Sequence, residues 1–113
     1  MFDTRYNLVL VPATKHSVLR RWLARRGFAL AGETLCQAAG RWYAVMNARY
    51  TGEAREPDGL ECLCGLTNGQ PGCGAYYAQQ NGKLKKYRLG LPAGQEAEAV
   101  DVLIKQMEEL SCR

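Results

Sequence analysis

Two clusters of cationic side chains are the residues of this sequence whose types and spacing most clearly indicate chemistry. The first cluster lies in one segment without an acidic residue and consists of Lys15, Arg20, Arg21, Arg25 and Arg26. The second consists of Lys83, Lys85, Lys86 and Arg88. Clustered cations release the counterions of a polyanion, so they favour binding to a phosphate backbone without reading a base sequence. The structural alternative for both clusters is a solvated helix face, because long cationic side chains commonly cover apolar surface.

Three tyrosines lie near the second cluster along the chain, namely Tyr76, Tyr77 and Tyr87. Aromatic rings beside cations can stack on the unpaired bases of a nucleic acid. The alternative is packing between two helices, which we favour for Tyr77 and Tyr87. Base stacking and core packing therefore both stay open for this segment.

The cysteines and the single histidine give weaker signals. Cys62, Cys64 and Cys73 could join Cys36 in a four-thiolate zinc site, but Cys-x-Cys followed by an eight-residue gap differs from the paired Cys-x-x-Cys pattern. We therefore expect free buried thiols and no metal site. No motif places a cysteine, serine or carboxylate beside His16, so we expect a surface position for it and assign no catalytic residue.

Glycines at positions 69, 72 and 74 loosely suggest a phosphate-binding loop. A dinucleotide-type glycine fingerprint follows a strand and opens a helix, whereas glutamine, proline and cysteine fill a turn-like stretch here. The sequence therefore predicts a flexible connector in this stretch and no cofactor-binding residue.

The composition predicts one globular unit that folds without a membrane. The chain has 113 residues, of which 47% are hydrophobic and 23% charged. Its longest apolar run, residues 8–13, is far shorter than the roughly 20 residues that span a bilayer. An odd number of cysteines at irregular spacing is typical of a reducing compartment, so we expect a cytoplasmic protein. The net charge of +4 combines basic segments with acidic stretches at 53–61 and 96–109, which predicts separate basic and acidic faces.

The elements that position these residues begin with a strand and a helix. Residues 6–11 form a continuous apolar run ended by Pro12, which predicts a buried strand of the parallel type. Thr14 can cap the helix that follows, and Gly27 supplies its stop. The arginines of this helix are expected to face solvent, and its expected buried residues are Leu19, Trp22 and Leu23.

A β-hairpin is predicted next, from residues 28–36 and 41–50 on either side of a small-residue break. In the second strand, Trp42, Ala44, Met46, Ala48 and Tyr50 alternate with more polar positions. A strand, a helix and a hairpin in this order are typical of the closing part of a mostly parallel sheet. Residues 51–59 read as a loop, and residues 60–74 as irregular structure.

Two interpretations compete for residues 75–91. Asn81-Gly82 is a strong turn dipeptide, which favours a β-hairpin. A helix is the alternative, because Tyr77, Leu84 and Leu91 recur every seventh residue. The last segment carries an amphipathic helical stripe made of Val100, Leu103, Met107 and Leu110. Since that stripe needs a partner, a helical hairpin is the preferred interpretation.

Several motifs in residues 8–50 occur together in a fixed order: Pro12, Leu19-Arg20-Arg21-Trp22-Leu23, Gly27-Phe28, Glu33 and Gly40-Arg41-Trp42-Tyr43. In order and spacing they resemble the end of the catalytic domain of bacterial tRNA (adenine-N1) methyltransferases that modify position 22, a class I family dependent on S-adenosylmethionine. The remainder resembles the family's glycine-containing linker and C-terminal coiled-coil-like helices more loosely. The resemblance covers nearly all of this chain, but it covers only the later half of the family's sequence.

The resemblance implies an α/β fold: the closing strands and helix of a Rossmann-like methyltransferase sheet in residues 1–58, a linker in 59–74 and a helical hairpin in 75–113. It also implies S-adenosylmethionine as cofactor and tRNA as partner. The family's glycine-rich cofactor loop and ribose-binding acidic residue lie earlier in its chain and have no counterpart here. Val11 and Ala13 stand where the family has Gln and Asn beside Pro12, which weakens the case for catalysis.

Two hypotheses follow. In the first, the chain is a fragment or divergent member of this family, the missing N-terminal half docks at the sheet edge beside residues 6–11, and catalysis needs that half. In the second, the chain is a non-catalytic nucleic-acid-binding or interaction module that retains only the scaffold. The tRNA-binding residues expected in the first are Arg20, Arg21, Arg25, Arg26, Lys83, Lys85, Lys86 and Arg88.

Overall fold

A computed structural model describes residues 7–112 of the chain, so Tyr6 and the outer ends of the predicted first and last segments lie outside the described range. The architecture is mixed α/β. The elements in chain order are β1 (Asn7–Leu10), α1 (His16–Arg25), β2 (Phe28–Ala38), β3 (Arg41–Tyr50), α2 (Gly59–Cys64), α3 (Cys73–Leu89) and α4 (Gln95–Ser111). The three strands form one antiparallel sheet in the order β1-β3-β2. No helix within residues 7–112 combines the length and apolar character needed to cross a membrane.

The predicted β-hairpin is confirmed. β2 and β3 pair antiparallel from Phe28 opposite Tyr50 to Ala38 opposite Arg41. Two residues with positive φ, Ala39 at 52° and Gly40 at 76°, connect the strands, as a tight hairpin turn with the right twist requires. The alternation in β3 is also confirmed, because three alternate side chains, Ala44, Met46 and Ala48, are fully buried.

The first strand differs from its prediction. β1 pairs antiparallel with β3, with Leu8 opposite Ala48, and is not parallel to any described strand. Its side chains alternate between exposed and half-buried, and Val9 is 70% exposed. A continuous apolar run is typical of strands covered on both faces, but in this structure only one face of β1 meets the core, at Leu10.

Helix α1 turns a different face inward from the one that its apolar residues predict. The buried positions are His16, Arg20, Leu23 and Ala24, which follow helical spacing, whereas Trp22 is 47% exposed. His16 and Arg20 can occupy this buried stripe because hydrogen-bond partners from other parts of the fold satisfy their polar atoms. Thr14 is not the cap; Lys15, at φ 58°, precedes the helix and makes no capping side-chain bond.

Residues 59–74 are more ordered than predicted. Asp58 accepts a hydrogen bond from the Glu61 amide at 2.8 Å and thereby caps the short helix α2. Cys62, Leu63 and Cys64 are buried, and so is Thr67, whose hydroxyl donates to the Cys64 carbonyl at 2.7 Å. These residues pack into the core, because α2 contacts α1, α3 and α4. The division of the chain into three segments stays a prediction.

The helical interpretation of residues 75–91 is confirmed, since α3 runs through Asn81 and Gly82 without a turn. The predicted final helix is confirmed too, with Val100 and Met107 buried. The side chain of Asn81 donates to the Ile104 carbonyl at 3.3 Å, which joins α3 to α4. A coiled-coil-like arrangement of the two helices stays a prediction. The core lies between β3 and the helices, and its buried members are Ala44, Met46, Leu63, Cys64, Tyr76, Tyr77 and Met107.

Replacing Gly82 with alanine is expected to stabilise the protein by about 0.5–1 kcal/mol, because glycine loses the most backbone entropy in a helix. A Cβ at this position meets no atom within 4 Å. Urea unfolding measures the difference. Gly40→Ala is the matched control: it also has open space, but its φ of 76° makes a side chain unfavourable, so this variant should lose stability. A Gly82→Ala protein less stable than wild type would contradict the assignment of α3.

Candidate nucleic-acid interface

Arg20, one of the eight predicted tRNA-binding residues, lies inside the protein. Its side chain is only 4% exposed, and every nitrogen of the guanidinium has a partner. Nε donates to Glu33 Oε1 at 3.0 Å, Nη1 donates to the Cys62 and Leu63 carbonyls, and Nη2 donates to the Tyr76 hydroxyl at 2.9 Å. A buried charge is tolerated only when it is paired and hydrogen-bonded in this way. The surface role predicted for Arg20 is therefore wrong.

Glu33 is the counter-charge that makes this position possible. Its second carboxylate oxygen accepts a hydrogen bond from the Leu66 amide. The loop after α2 comes so close that a Cβ at Gly65 would stand 1.8 Å from Glu33 Oε2, and Gly65 itself has a φ of 56°. Arg20 and Glu33 thus tie α1, β2 and the end of α2 together.

His16 belongs to the same buried cluster, and the surface position predicted for it is also wrong. The ring is 1% exposed; Nε2 lies 3.2 Å from the Pro12 carbonyl and Nδ1 lies 2.8 Å from the Tyr76 hydroxyl. Since a carbonyl only accepts, Nε2 carries the proton in the neutral ring and Nδ1 accepts from Tyr76. Tyr76 in turn accepts from Arg20 and is fully buried, so it does not stack on a nucleic-acid base.

The buried His16 is expected to make stability depend on pH. Burial, followed by the charge of Arg20, lowers the pKa of His16 below its ordinary value of 6.5. Lys83 and Arg41 act in the same direction, and the Pro12 carbonyl opposes them. In the window below 6.5 the unfolded chain therefore binds more protons than the folded chain, and stability is lost as the pH falls through it.

Urea unfolding at several pH values, for wild type and His16→Gln, measures this effect. We expect the wild type to lose more stability between about pH 7 and about pH 5 than the variant does. Acidic side chains titrate in both proteins, so the difference between the two slopes isolates His16. Equal slopes would mean that the ring is not held neutral in the folded state.

The remaining cations of the first cluster border a groove of about 790 Å³ between α1 and the helices α2, α3 and α4. Its cationic residues are Lys15, Arg21, Arg25, Arg26 and Lys83. Its floor is apolar and includes Leu63, Leu84, Val100 and Leu103. The structure thus brings one lysine of the second cluster together with the first cluster, which places cations from α1 and α3 on one surface. We call this surface the basic groove.

The charge of the basic groove is only partly neutralised. Glu56 pairs with Arg25 at 2.6 Å and with Arg21 at 3.5 Å, and this hydrogen bond to Arg25 holds the pKa of the Glu56 carboxyl below its usual range. Within residues 7–112, no carboxylate forms an ion pair with Lys15, Arg26 or Lys83. The groove therefore presents an excess of positive charge to solvent, which attracts phosphate.

Two half-exposed aromatic rings also line the basic groove, Trp22 and Tyr87. The guanidinium carbon of Arg26 lies 5.2 Å from the Trp22 ring centroid, within cation–π distance. Tyr87 is 54% exposed and is therefore not buried between the helices as the sequence favours, although its hydroxyl donates to Glu96 on α4; Tyr77 is buried in the core. The sequence predicts a buried Trp22, whereas this residue is exposed because it lies off the buried stripe of α1, which only the structure reveals.

The other cations of the second cluster lie apart from the groove. Arg88 pairs with Asp101 at 2.8 Å and Lys85 lies 4.0 Å from Glu108, so both contact α4. Lys86 is exposed and does not line the groove. The second cluster is therefore divided between helix pairing and open surface.

The cysteines do not gather in the described part of the chain, where no three potential ligands from His, Cys, Asp and Glu come together around a metal position. Cys62 and Cys64 are buried thiols as predicted, but Cys36 is exposed. Burial raises the pKa of Cys64 to about 11, so it is a neutral thiol at physiological pH and donates to Met107 Sδ at 3.7 Å.

The residues described here do not fit S-adenosylmethionine. Two glycines of residues 65–74 serve internal packing: Gly65 faces Glu33, and a Cβ at Gly72 would stand 2.1 Å from the Trp42 ring. Glu33, a buried carboxylate, is already bound to Arg20 and cannot hold a ribose. No methyl-transfer step is therefore assigned to these residues.

Comparison with known proteins confirms the resemblance at the level of the fold. Neither a protein-family model nor a curated protein matches the chain. Among solved structures, Sp1610 of Streptococcus pneumoniae, a candidate tRNA (m1A22) methyltransferase, has a TM-score of 0.66 at 19% identity and matches 93% of this chain but 49% of its own. A Rossmann-superfamily protein from Streptococcus agalactiae has a TM-score of 0.66 at 18% identity, covering 93% and 47% of the two chains.

TrmK of M. capricolum, solved with S-adenosyl-homocysteine, has a TM-score of 0.61 at 13% identity and covers 94% of this chain and 49% of its own. The chain therefore spans about half the length of the structures that it matches. At these identities the likeness establishes the fold alone, which this chain shares with about half of each of these structures.

Proposed function

We propose that this chain is the tRNA-binding later half of a tRNA (adenine-N1) methyltransferase that acts at position 22, as a fragment or a divergent member of that family. The observation that carries the proposal is the basic groove, in a fold shared with half of such enzymes. Lys15, Arg26 and Lys83, which have no ion pair with a carboxylate of residues 7–112, lie at the two ends of α1 and on α3 and converge on one surface. Convergent cations contact phosphates and so set the register of a bound tRNA.

Of the eight residues that the sequence predicts to bind tRNA, the groove retains Arg21, Arg25, Arg26 and Lys83. Arg20 is excluded by its burial. Lys86 is exposed and remains part of the proposal as a peripheral phosphate contact. Lys85 and Arg88 contact α4, so their effect on tRNA is expected to be smaller.

Catalysis in this proposal requires a second half that supplies the site for S-adenosylmethionine, the methyl donor. The outer edge of β1 is the proposed docking surface, because within residues 7–112 the sheet continues only on the β3 side of this strand and the edge of a sheet can accept another strand. Val9 and Val11 are largely exposed there and offer apolar surface to a partner. A cytoplasmic location, where tRNA is available, belongs to the same proposal.

The second candidate function is a non-catalytic nucleic-acid-binding module. It is favoured by Val11 and Ala13, because apolar side chains flank Pro12 where the family has polar ones. The two candidates share the basic groove and differ in the cofactor. Methylation of tRNA by the proposed partner half, measured with and without this chain, separates them: the fragment should be required for methylation, whereas the module binds tRNA but leaves the methylation rate of the partner half unchanged.

The basic groove is tested by measuring tRNA affinity as a function of salt. If three cations contact phosphates, affinity should fall roughly fortyfold between about 50 and about 200 mM salt. The triple variant Lys15→Gln, Arg26→Gln, Lys83→Gln should lose most of this salt dependence. The control variant Lys85→Gln, Arg88→Gln, Lys105→Gln removes the same charge outside the groove and should retain most of it. No tRNA binding by wild type, or an equal loss in both variants, would contradict the proposal.

A further inference from the structure

One amide in the basic groove lacks a hydrogen-bond partner. Gln80, on α3, lines the groove and is only 3% exposed, yet its Nε2 atom has no partner among residues 7–112. A buried polar group without a partner is costly, and such groups in folded proteins commonly mark a site for a ligand or a bound water. Asn81 also has one unpartnered atom, but it does not line the groove and its amide nitrogen bonds to α4.

We propose that the basic groove binds one unpaired nucleotide of an RNA, with the base on Trp22, the base edge at Gln80 and the adjoining phosphates at the cations. This inference rests on the proposed function and names the part of the RNA that the groove recognises. The amide of Gln80 offers both a donor and an acceptor, and rotation of its terminal torsion exchanges them, so it can match the polar edge of a base.

Trp22 provides the stacking surface. Its ring is about half exposed, and Arg26 beside it holds a guanidinium within cation–π distance. Bases stack on such rings because every base has a π-face, and arginine adds to the contact. The apolar floor at Leu63, Leu84 and Val100 suits the hydrophobic parts of a base. The groove thus combines stacking, hydrogen bonding and charge at one place.

The charge of the groove favours RNA over a protein segment as the occupant. Five cationic residues and one acidic residue, Glu96, line it. An unpaired nucleotide is favoured over a duplex, because the bases of an A-form helix are stacked inside it and only splayed bases reach an aromatic side chain. A volume of about 790 Å³ lies within the usual range of ligand sites.

The test compares two RNA hairpins with the same stem, each closed by a polyethylene glycol linker in place of loop nucleotides, one of which carries a single bulged nucleotide. Fluorescence anisotropy gives the ratio of the two affinities. For wild type we expect roughly tenfold preference for the bulged hairpin, the size typical of one stacked base. Trp22→Leu and, separately, Gln80→Leu should bring the ratio close to one. Tyr43→Leu removes an aromatic ring from β3, outside the groove, and should keep the wild-type ratio.

Gln80→Leu is expected to fold, because it removes an unpartnered polar atom without creating a cavity. Loss of the preference in this variant would therefore not be explained by unfolding. Equal affinities of wild type for both hairpins, with salt-sensitive binding retained, would overturn the nucleotide site and leave the phosphate-binding proposal standing. Binding of neither hairpin would overturn both. A preference that survives in Trp22→Leu and Gln80→Leu would also overturn the inference, since the bulge would then be recognised elsewhere.

Discussion

Replacing Glu33 with alanine is expected to lower the free energy of unfolding by about 3–5 kcal/mol, because the buried guanidinium of Arg20 would lose its counter-charge. The two side chains lie 2.9 Å apart and are almost completely buried. Arg20 would still be fixed by the Cys62 and Leu63 carbonyls and by Tyr76, so it could not easily turn to solvent. Urea unfolding of wild type and Glu33→Ala measures the loss.

Arg25→Ala is the matched control, since Arg25 lies on the same helix and pairs with Glu56 at the surface, where both side chains are 58% exposed. We expect its free energy of unfolding to stay nearly unchanged, because exposed ion pairs contribute little. A double variant, Arg20→Met with Glu33→Leu, should recover part of the loss, since an apolar pair of similar volume needs no charge compensation, while the Cys62 and Leu63 carbonyls and the Leu66 amide lose these partners. A Glu33→Ala protein as stable as Arg25→Ala would show that Arg20 is not buried in solution.

The elements that could be predicted are those whose pattern repeats locally. The β2–β3 hairpin follows from an alternation over ten residues and from a small-residue turn, and α4 follows from a stripe at helical spacing. Both patterns depend only on residues that lie close together in the sequence. Resemblance added the fold class, because Pro12, Glu33 and the Gly40 to Tyr43 strand retain a family order over a longer stretch.

The buried polar cluster could not be predicted for a different reason. Arg20 finds its partners 13, 42, 43 and 56 residues away along the chain, at Glu33, Cys62, Leu63 and Tyr76. No local pattern encodes such contacts, so a cation in a basic segment reads as a surface residue. His16 was misplaced for the same cause, since Tyr76 lies 60 residues away.

The sequence predicts cations of the basic groove but not the groove itself. Clustering identifies its cations in and beside α1, but the groove exists only because α3 brings Lys83 and Gln80 opposite them. The two helices are far apart in the sequence, so no local pattern indicates that they face each other. The same limit applies to Trp22, whose apolar character indicates burial until the true buried stripe of α1 is known.

Gly72→Ala is expected to lower the free energy of unfolding by about 3 kcal/mol, the sum of backbone strain and overpacking. Gly72 has a φ of 86° at the start of α3, and a Cβ there would stand 2.1 Å from the Trp42 ring. Gln79 fixes the backbone of Trp42, whose amide donates to Gln79 Oε1 and whose carbonyl accepts from Gln79 Nε2, both at 2.8 Å, so only rotation of the ring about its side-chain torsions could relieve the overlap. Urea unfolding with circular dichroism measures the change.

Gly69→Ala separates the two contributions. Gly69 has nearly the same φ, 87°, but a Cβ there meets no atom within 4 Å, so its variant should show the backbone strain alone, about 1 kcal/mol. The difference between the two variants then measures how firmly the start of α3 is seated on the sheet at Trp42. Because α3 carries Lys83 and Gln80 into the basic groove, a firm seat also fixes one wall of that groove. Equal losses of unfolding free energy in the two variants would show that the start of α3 can shift away from Trp42. The wall of the groove that α3 forms would then shift as well.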